Sequence, residues 1–272
     1  MMIVKIKSNL KKLDLQDVYL AIKVISLVIL PYFIIIINEH ARYHKDININ
    51  YWVFGVIFST IVALLIYKSF YMPIGYKIKL DNKSFIIALL GYIFLHSGGL
   101  LISWLNNFES PENQKAWESI WNKNQDQLHY YIIDSVVVTP VIEEVIFRGV
   151  LFFALYMMIK ELKKWRKWNF RDKTNQYITI ILFILVSATL FSSVHLSQSF
   201  LMSLPYLFAG ITLAIIFVIT KNLLVTIMIH ALNNFINFNH INEIQTYKLL
   251  SLLLIISIIV FIFSNIKEKA HS

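Results

Sequence analysis

The feature that most constrains this chain is a series of apolar runs, each about 20 residues long, the length that crosses a bilayer as an α-helix. Charged residues make up only 15% of the 272 residues, whereas a soluble domain carries about a quarter. With 7 glycines and no alternating strands, the chain is predicted to be an all-α polytopic membrane protein with about eight transmembrane helices. The predicted spans are Val18 to Ile37, Tyr51 to Met72, Ser84 to Leu105, Tyr130 to Ile159, Tyr177 to Val194, Ser199 to Thr220, Leu223 to Phe238 and Lys248 to Ser264.

The distribution of basic residues predicts how these spans are oriented. Of 25 Lys and Arg residues, 18 fall in the two terminal segments and the even-numbered loops, five fall in the odd-numbered loops, and two lie inside spans, with Lys68 and Lys248 near span ends counted in the adjoining loops. Loops rich in Lys and Arg stay in the cytoplasm. We therefore expect a multi-pass protein of the cell (cytoplasmic) membrane with both termini cytoplasmic. No internal repeat is visible, so residues 1–272 are predicted to form a single membrane domain.

The external segment from Asn106 to His129 has the signature of a short amphipathic helix. Ser110 and Pro111 resemble an N-cap and a first helical position, and Trp117 and Trp121 then share one face. We predict an interfacial helix here. An irregular loop is the alternative.

A cytoplasmic stretch from Lys160 to Lys173 contains seven Lys and Arg residues around Trp165 and Trp168. The chain carries a net charge of +9, which in a soluble protein would suggest nucleic acid. Beside a membrane, attraction to anionic headgroups explains such a stretch. We expect anionic lipids, and not nucleic acid, as the partner of this segment.

The fourth predicted span contains three ionisable residues, Glu143, Glu144 and Arg148. Charges inside a bilayer are costly unless they are paired or functional. Glu144 and Arg148 are spaced i, i+4 on one helix face and can neutralise each other, which makes them structural support. Glu143 points about 100° away and has no local cation. A buried carboxylate without a partner suits a general base.

Two further spans supply imidazoles. His195 lies at the end of the fifth span, and His230 lies in the seventh, four residues before Asn234. Taken singly, each is explained as a hydrogen-bonding contact between helices. Taken with Glu143, they indicate one polar cavity. Counted at about 1.5 Å per residue from the cytoplasmic ends, however, His195 lies ~27 Å deep and His230 only ~10 Å, so tilt or a kink at Pro140 must bring them level.

Such a cluster can hydrolyse a peptide bond in two ways. Glu143, His195 and His230 form a ligand set typical of catalytic zinc, which lowers the pKa of its bound water. Alternatively, Glu143 and His195 polarise water directly, while His230 and Asn234 donate to the oxyanion. The residues leave this choice open. No HExxH, GxSxG or Walker pattern is present, and with 0 cysteines there is no thiolate nucleophile.

These residues resemble the CAAX-processing and bacteriocin-immunity family of intramembrane proteases, also called the CPBP or Abi family. The resemblance covers about residues 130–240, which would form a catalytic core from spans four to seven. The family's three motifs occur in order, as EExxxR at Glu143, Glu144 and Arg148, FxxxH at Phe191 and His195, and HxxxN at His230 and Asn234.

The resemblance implies an activity and a role for each motif residue. Glu143 would be the catalytic carboxylate and His195 its partner, while His230 and Asn234 would stabilise the oxyanion or complete a Zn²⁺ site. The expected function is an intramembrane endopeptidase acting on a small membrane-associated peptide or protein tail. The alternative is a non-proteolytic membrane partner that gives bacteriocin self-immunity or regulates a sensor kinase.

Overall fold

A computed structural model describes residues 81–107, 109–123, 133–166, 172–195 and 199–238, together with residues 58, 61 and 197. These residues form helices joined by short turns. Two of the elements are π-helical, and we label them π1 and π2. In chain order the elements are α1 (Asn82–Leu105), α2 (Glu112–Lys123), π1 (Asp134–Val138), α3 (Thr139–Glu144), π2 (Val145–Val150), α4 (Leu151–Arg166), α5 (Asp172–Ser193), α6 (Phe200–Thr220) and α7 (Leu223–Phe238).

Two described helices are long and apolar enough to cross a membrane. They are Asn82–Leu105 and Phe200–Thr220, with hydropathies of 2.1 and 2.2, and the shorter apolar helices Tyr177–Ser193 and Leu223–Asn237 accompany them. The predicted all-helical class therefore holds for the described part of the chain, and these two helices agree with the membrane prediction in length and composition. The predicted first and eighth spans, and all of the second except residues 58 and 61, lie outside it. The count of eight spans stays a prediction.

The starts of α1 and α6 are set by side-chain caps. The Asp81 carboxylate accepts from the backbone N–H of Ser84 at 2.8 Å, and the Ser199 hydroxyl accepts from that of Met202 at 3.3 Å. Each cap satisfies a backbone donor that the first helical turn leaves unpaired. The observed helices begin within two residues of the predicted third and sixth spans, and the predicted seventh span coincides with α7.

The fourth predicted span differs most from expectation. A helical path runs from Asp134 through π1, α3, π2 and α4 to Arg166, seven residues past the predicted end at Ile159. The apolar run ends where charged side chains begin. Because Lys, Glu and Leu all favour helix, the helical backbone continues past that point. Helix α5 likewise begins at Asp172, before the predicted Tyr177. The predicted contact of this basic segment with anionic lipids stays a prediction.

The amphipathic helix predicted in the external segment is present as α2, Glu112–Lys123. It begins one residue after Pro111, whose carbonyl accepts from the N–H of Lys115 at 3.1 Å. The predicted start was therefore one residue early. The Trp121 side chain is not among those that the structure describes. The prediction that Trp117 and Trp121 share one face stays a prediction.

The turn between α6 and α7 buries Asn222 while leaving Lys221 exposed. Lys221 has a left-handed backbone with φ 51°, and the Asn222 amide donates to the Ser84 hydroxyl of α1 at 2.9 Å. Asn222 and Leu223 are only 1% and 0% exposed. Helix α7 therefore begins at buried residues, and His230 lies about half way along it.

Small residues allow the helices that surround the site to approach closely. A Cβ at Gly210 of α6 would lie 2.7 Å from the Cα of Ala188 in α5, and one at Gly91 of α1 would lie 2.6 Å from Ile229 of α7. A cluster of buried apolar residues joins α1, α6 and α7. This packing fixes α5, α6 and α7 around the π1–α3–π2 segment, which carries the two glutamates.

Candidate active site

Glu143 and Glu144 lie in α3, a helix of only six residues between two π-helical segments. In a π-helix the backbone hydrogen bonds run from i to i+5, which disturbs the pairing of nearby carbonyls. A side chain from a neighbouring helix bonds a carbonyl in each segment. The Asn234 amide donates to the Ser135 carbonyl of π1 at 2.8 Å, and the Ser187 hydroxyl donates to the Phe147 carbonyl of π2 at 3.0 Å. Helices α5 and α7 thus fix both ends of the glutamate segment.

The structure brings Glu144 and Arg148 together, as their spacing predicts. The guanidinium Nη1 lies 2.9 Å from the Glu144 Oε1, and both side chains are 0% exposed. Arg148 is held further by the Gly210 carbonyl at 3.4 Å and by the face of the Phe191 ring, 4.6 Å from its centroid. A fully buried charge needs this degree of compensation.

Glu144 has a second partner that sequence reasoning missed. Its Oε1 also accepts from the Nδ1 of His230 at 3.0 Å. A carboxylate oxygen can accept more than one hydrogen bond, so one atom serves both Arg148 and His230. Glu144 and His230 are 86 residues apart in the sequence, and no helical periodicity relates positions so distant. Glu144 therefore fixes the orientation of the imidazole as well as bracing the helix.

Glu143 is the less constrained of the two carboxylates. Its Oε2 lies 3.9 Å from the Nε2 of His230, too far for a direct hydrogen bond, and its side chain is 15% exposed. Within the described part of the chain, this oxygen is buried and has no hydrogen-bond partner. Glu143, Glu144 and Arg148 carry one net negative charge.

His195 lies just beyond the end of α5, and its ring is fixed on both faces. Its Nδ1 lies 2.6 Å from the Phe191 carbonyl, which can only accept, so Nδ1 carries the proton and the neutral ring has its lone pair on Nε2. The ring lies 4.6 Å from the Phe191 ring and stacks on Tyr206 at 4.4 Å and 20°. Sequence reasoning missed Tyr206, because an aromatic residue in an apolar helix is ordinarily part of the core.

The two histidines meet at Phe191, whose ring centroid also lies 5.6 Å from that of His230. The packing of the helices therefore brings the two histidines to the same ring, despite the depth difference expected from straight spans. Asn234 is fixed one turn along α7 from His230. One of its two amide hydrogens is engaged by Ser135, which leaves a second hydrogen for another acceptor.

The described side chains do not form a three-ligand metal site as they stand. No group of three His, Asp or Glu side chains among them is close enough to hold an ion. Two ligands of a tetrahedral zinc lie about 3.4 Å apart, since each bond is about 2.0 to 2.1 Å. The Glu143 and His230 atoms are 3.9 Å apart. The predicted zinc site stays a prediction, and the reaction proposed below contains no metal-dependent step.

Comparison with protein families identifies a family that is similar to this part of the chain. The family model of the type II CAAX prenyl endopeptidase Rce1-like proteins matches residues 125–236. Residues 125–236 are therefore similar to the Rce1-like family. The resemblance predicted from the three motifs is therefore confirmed, and all motif residues from Glu143 to Asn234 lie inside the match. A family of endopeptidases indicates a peptidase. Comparison with curated proteins and with solved structures returns no match.

Proposed function

We propose that this protein is an intramembrane endopeptidase that hydrolyses a peptide bond of a small membrane-associated peptide or protein tail, using water activated by Glu143 with His195. The description of the Rce1-like family supports a prenylated CAAX tail as the first substrate to test. One observation carries the proposal. The Glu143 Oε2 is buried without a hydrogen-bond partner among the described residues and faces an imidazole nitrogen across 3.9 Å, a space that suits a bridging water.

In the first step Glu143 removes a proton from this water as the water oxygen attacks the scissile carbonyl carbon. The carbonyl oxygen becomes an oxyanion. His195 acts beside Glu143, since the Phe191 ring contacts the rings of both His195 and His230 and the Nε2 lone pair of His195 can accept a hydrogen bond from the same water. The fixed Nδ1 bond to Phe191 keeps that lone pair in one direction.

The oxyanion is stabilised by His230 and Asn234. With its Nδ1 hydrogen bonded to Glu144, the protonated form of His230 donates to the oxyanion through Nε2. Asn234 supplies its second amide hydrogen. In the last step the C–N bond breaks, the proton held by Glu143 passes to the leaving nitrogen, and the products are a carboxylate and an amine.

The test is cleavage of a fluorogenic farnesylated peptide with a CAAX tail by purified protein in lipid nanodiscs. Glu143→Gln keeps the volume of the side chain but removes its basicity, so we expect the rate to fall by at least ~10²-fold. The matched control is Glu109→Gln, which alters an exposed carboxylate and should leave the rate unchanged. Full cleavage by Glu143→Gln, His195→Ala and His230→Ala would overturn the proposed mechanism, whereas absence of cleavage by the unaltered protein would favour a non-proteolytic partner.

The same assay separates direct carboxylate chemistry from a zinc mechanism. Metal content is measured on the purified protein, and cleavage is followed after treatment with a chelator and after metal is restored. We expect chelation to leave cleavage intact. About one equivalent of zinc per chain, with activity lost on its removal, would instead establish the zinc alternative.

A further inference from the structure

Helix α1 carries a row of polar and small residues outside the three motifs of the candidate active site. Tyr92, His96, Gly99, Ser103 and Asn106 follow one another at intervals of four, three, four and three residues. Because an α-helix has about 3.6 residues per turn, these five positions share one face. The opposite face carries strongly exposed apolar side chains, those of Phe94, Leu101 and Leu105. The polar face of α1 therefore points into the helix bundle.

Three polar atoms on this face are buried and make no hydrogen bond to any residue that the structure describes. They are the Tyr92 hydroxyl, the His96 Nε2 and the Asn106 Oδ1. The Tyr92 side chain is 0% exposed, and its ring centroid lies 5.6 Å from that of His96. Buried polar groups in folded proteins are paired with protein or with ordered water, since leaving them unpaired costs free energy. Three such atoms on one helix face indicate a bound ligand.

The same face of α1 has open space beside these atoms. A Cβ added at Gly99 would meet nothing within 4 Å, whereas one at the neighbouring Gly98 would collide with the Phe208 ring of α6. The apolar cluster that joins α1 to α6 and α7 includes α1 residues from Ile87 to Leu95. The open space therefore lies beyond this packed part of α1. It is large enough only for small molecules that fit between neighbouring helices.

This polar face is separate from the candidate active site, because α7 contacts the two places with different faces. Ile229 of α7 packs in the same apolar cluster as Tyr92. His230 follows it directly, is turned by about 100° around the helix, and bonds Glu144 at 3.0 Å. The proposed reaction gives the polar atoms of α1 no role.

We infer that this face of α1 is an internal hydration site, in which water molecules bond the Tyr92 hydroxyl, the His96 Nε2 and the Asn106 Oδ1 beside Gly99. A hydroxyl, an imidazole nitrogen and an amide oxygen together need a ligand that both donates and accepts, as water does. A cavity holds water when it is polar and offers about two to four hydrogen-bond partners. The inference does not depend on the proposed endopeptidase function.

Hydration explains two further features of α1. The helix has a hydropathy of 2.1 and yet contains His96, and ionisable residues inside a membrane face a partner or a water-filled cavity. The outer half of α1 lies beyond the apolar cluster, where the Asn106 amide donates to the Leu201 carbonyl of α6 at 2.9 Å. Bound water then joins this half of α1 to the bundle together with that direct bond.

The first test is radiolytic footprinting of the full protein in lipid nanodiscs. An X-ray pulse splits water into hydroxyl radicals, which oxidise the side chains that bound water touches. We expect Tyr92 to be oxidised faster than Phe183 and Phe217, two aromatic rings that are equally buried but pack against each other. Gly99→Leu fills the open space and should remove most of the oxidation at Tyr92 and His96. Oxidation of Tyr92 no faster than that of the two phenylalanines would overturn the inference.

The second test is the sign of a stability change. Tyr92→Phe removes only the hydroxyl, so a hydrated site loses a hydrogen bond and the thermal midpoint falls, whereas a dry site loses an unpaired buried group and the midpoint rises. We expect a fall. The matched control is Tyr177→Phe at an exposed position, which should leave the midpoint unchanged. A raised or unchanged midpoint for Tyr92→Phe would contradict the inference. Neither test measures cleavage, so failure of the proposed function would leave both results unaffected.

Discussion

At the scale of single residues, the two adjacent glutamates differ because of what surrounds each carboxylate. Glu144 shares one oxygen between Arg148 and His230 and is 0% exposed. The Glu143 oxygen nearest His230 has no hydrogen-bond partner among the described residues. The pairing of Glu144 with Arg148 follows from the sequence, since both lie on one helix face. Its bond to His230 does not, because it depends on how α3 and α7 pack.

Glu144→Gln should therefore damage the protein in a different way from Glu143→Gln. The change leaves the buried Arg148 without a countercharge, which costs about 3 to 5 kcal/mol. We expect less protein in the membrane and a lower unfolding midpoint, whereas Glu143→Gln should change neither. Quantitative immunoblotting and thermal unfolding in detergent measure the two effects. Wild-type abundance and stability of Glu144→Gln would contradict the proposed role of this pair.

At the scale of helices, the contact between α5 and α6 sets the position of Arg148. Gly210 lies against the Ala188 backbone, and its carbonyl accepts from Arg148 at 3.4 Å. Because the facing atoms are backbone, they cannot move aside as the end of a flexible side chain does. A side chain at this position would separate α5 from α6 and withdraw a partner from the buried guanidinium.

Gly210→Ala should destabilise the protein by about 1 to 3 kcal/mol through overpacking. The matched control is Gly99→Ala in α1, where an added Cβ meets nothing within 4 Å. Alanine favours a helix interior over glycine by about 0.5 to 1 kcal/mol, so the control should be neutral or stabilising. Unfolding of the two variants is compared in the same detergent. Equal stability of both would show that the α5–α6 contact is loose.

Helix ends show why part of the fold could be predicted and part could not. Helix α7 coincides with the predicted Leu223 to Phe238, because its apolar run and its polar flanks end together. The end of α4 at Arg166 was missed, since hydropathy reports the environment of side chains and not the continuation of backbone hydrogen bonds. Segments π1 and π2 were also missed, because a shift from i+4 to i+5 pairing leaves the apolar pattern almost unchanged.

At the scale of the whole molecule, the predicted orientation can be tested directly. The distribution of Lys and Arg predicts that the loop from Lys163 to Arg171 is cytoplasmic and that Asn113 is external. The chain has 0 cysteines, so a single cysteine introduced at either place is the only thiol. We expect a membrane-impermeant maleimide to label Asn113→Cys in intact cells and Lys163→Cys only after permeabilisation. The reverse pattern would invert the topology.

The residues of the candidate site could be predicted from the sequence, but their arrangement in space could not. Glu143, His195 and His230 stand out because polar groups are rare in apolar spans. Their geometry depends on features without a local signal, such as the buried start of α7 and the ring of Phe191 between the imidazoles. Tyr206 was overlooked for the related reason that its residue type is ordinary for its surroundings.

Because of the two π-helical segments, the site depends on the number of residues in this part of the chain. Each holds one residue more than the α-helical turn that it replaces. Deleting Val137 would return π1 to α-helix and rotate the preceding residues by about 100° relative to Glu143, which would carry the Ser135 carbonyl away from Asn234. A deletion between helices is absorbed by a turn. In related chains we therefore expect insertions and deletions to accumulate in the connections, while the number of residues across 134–150 stays constant.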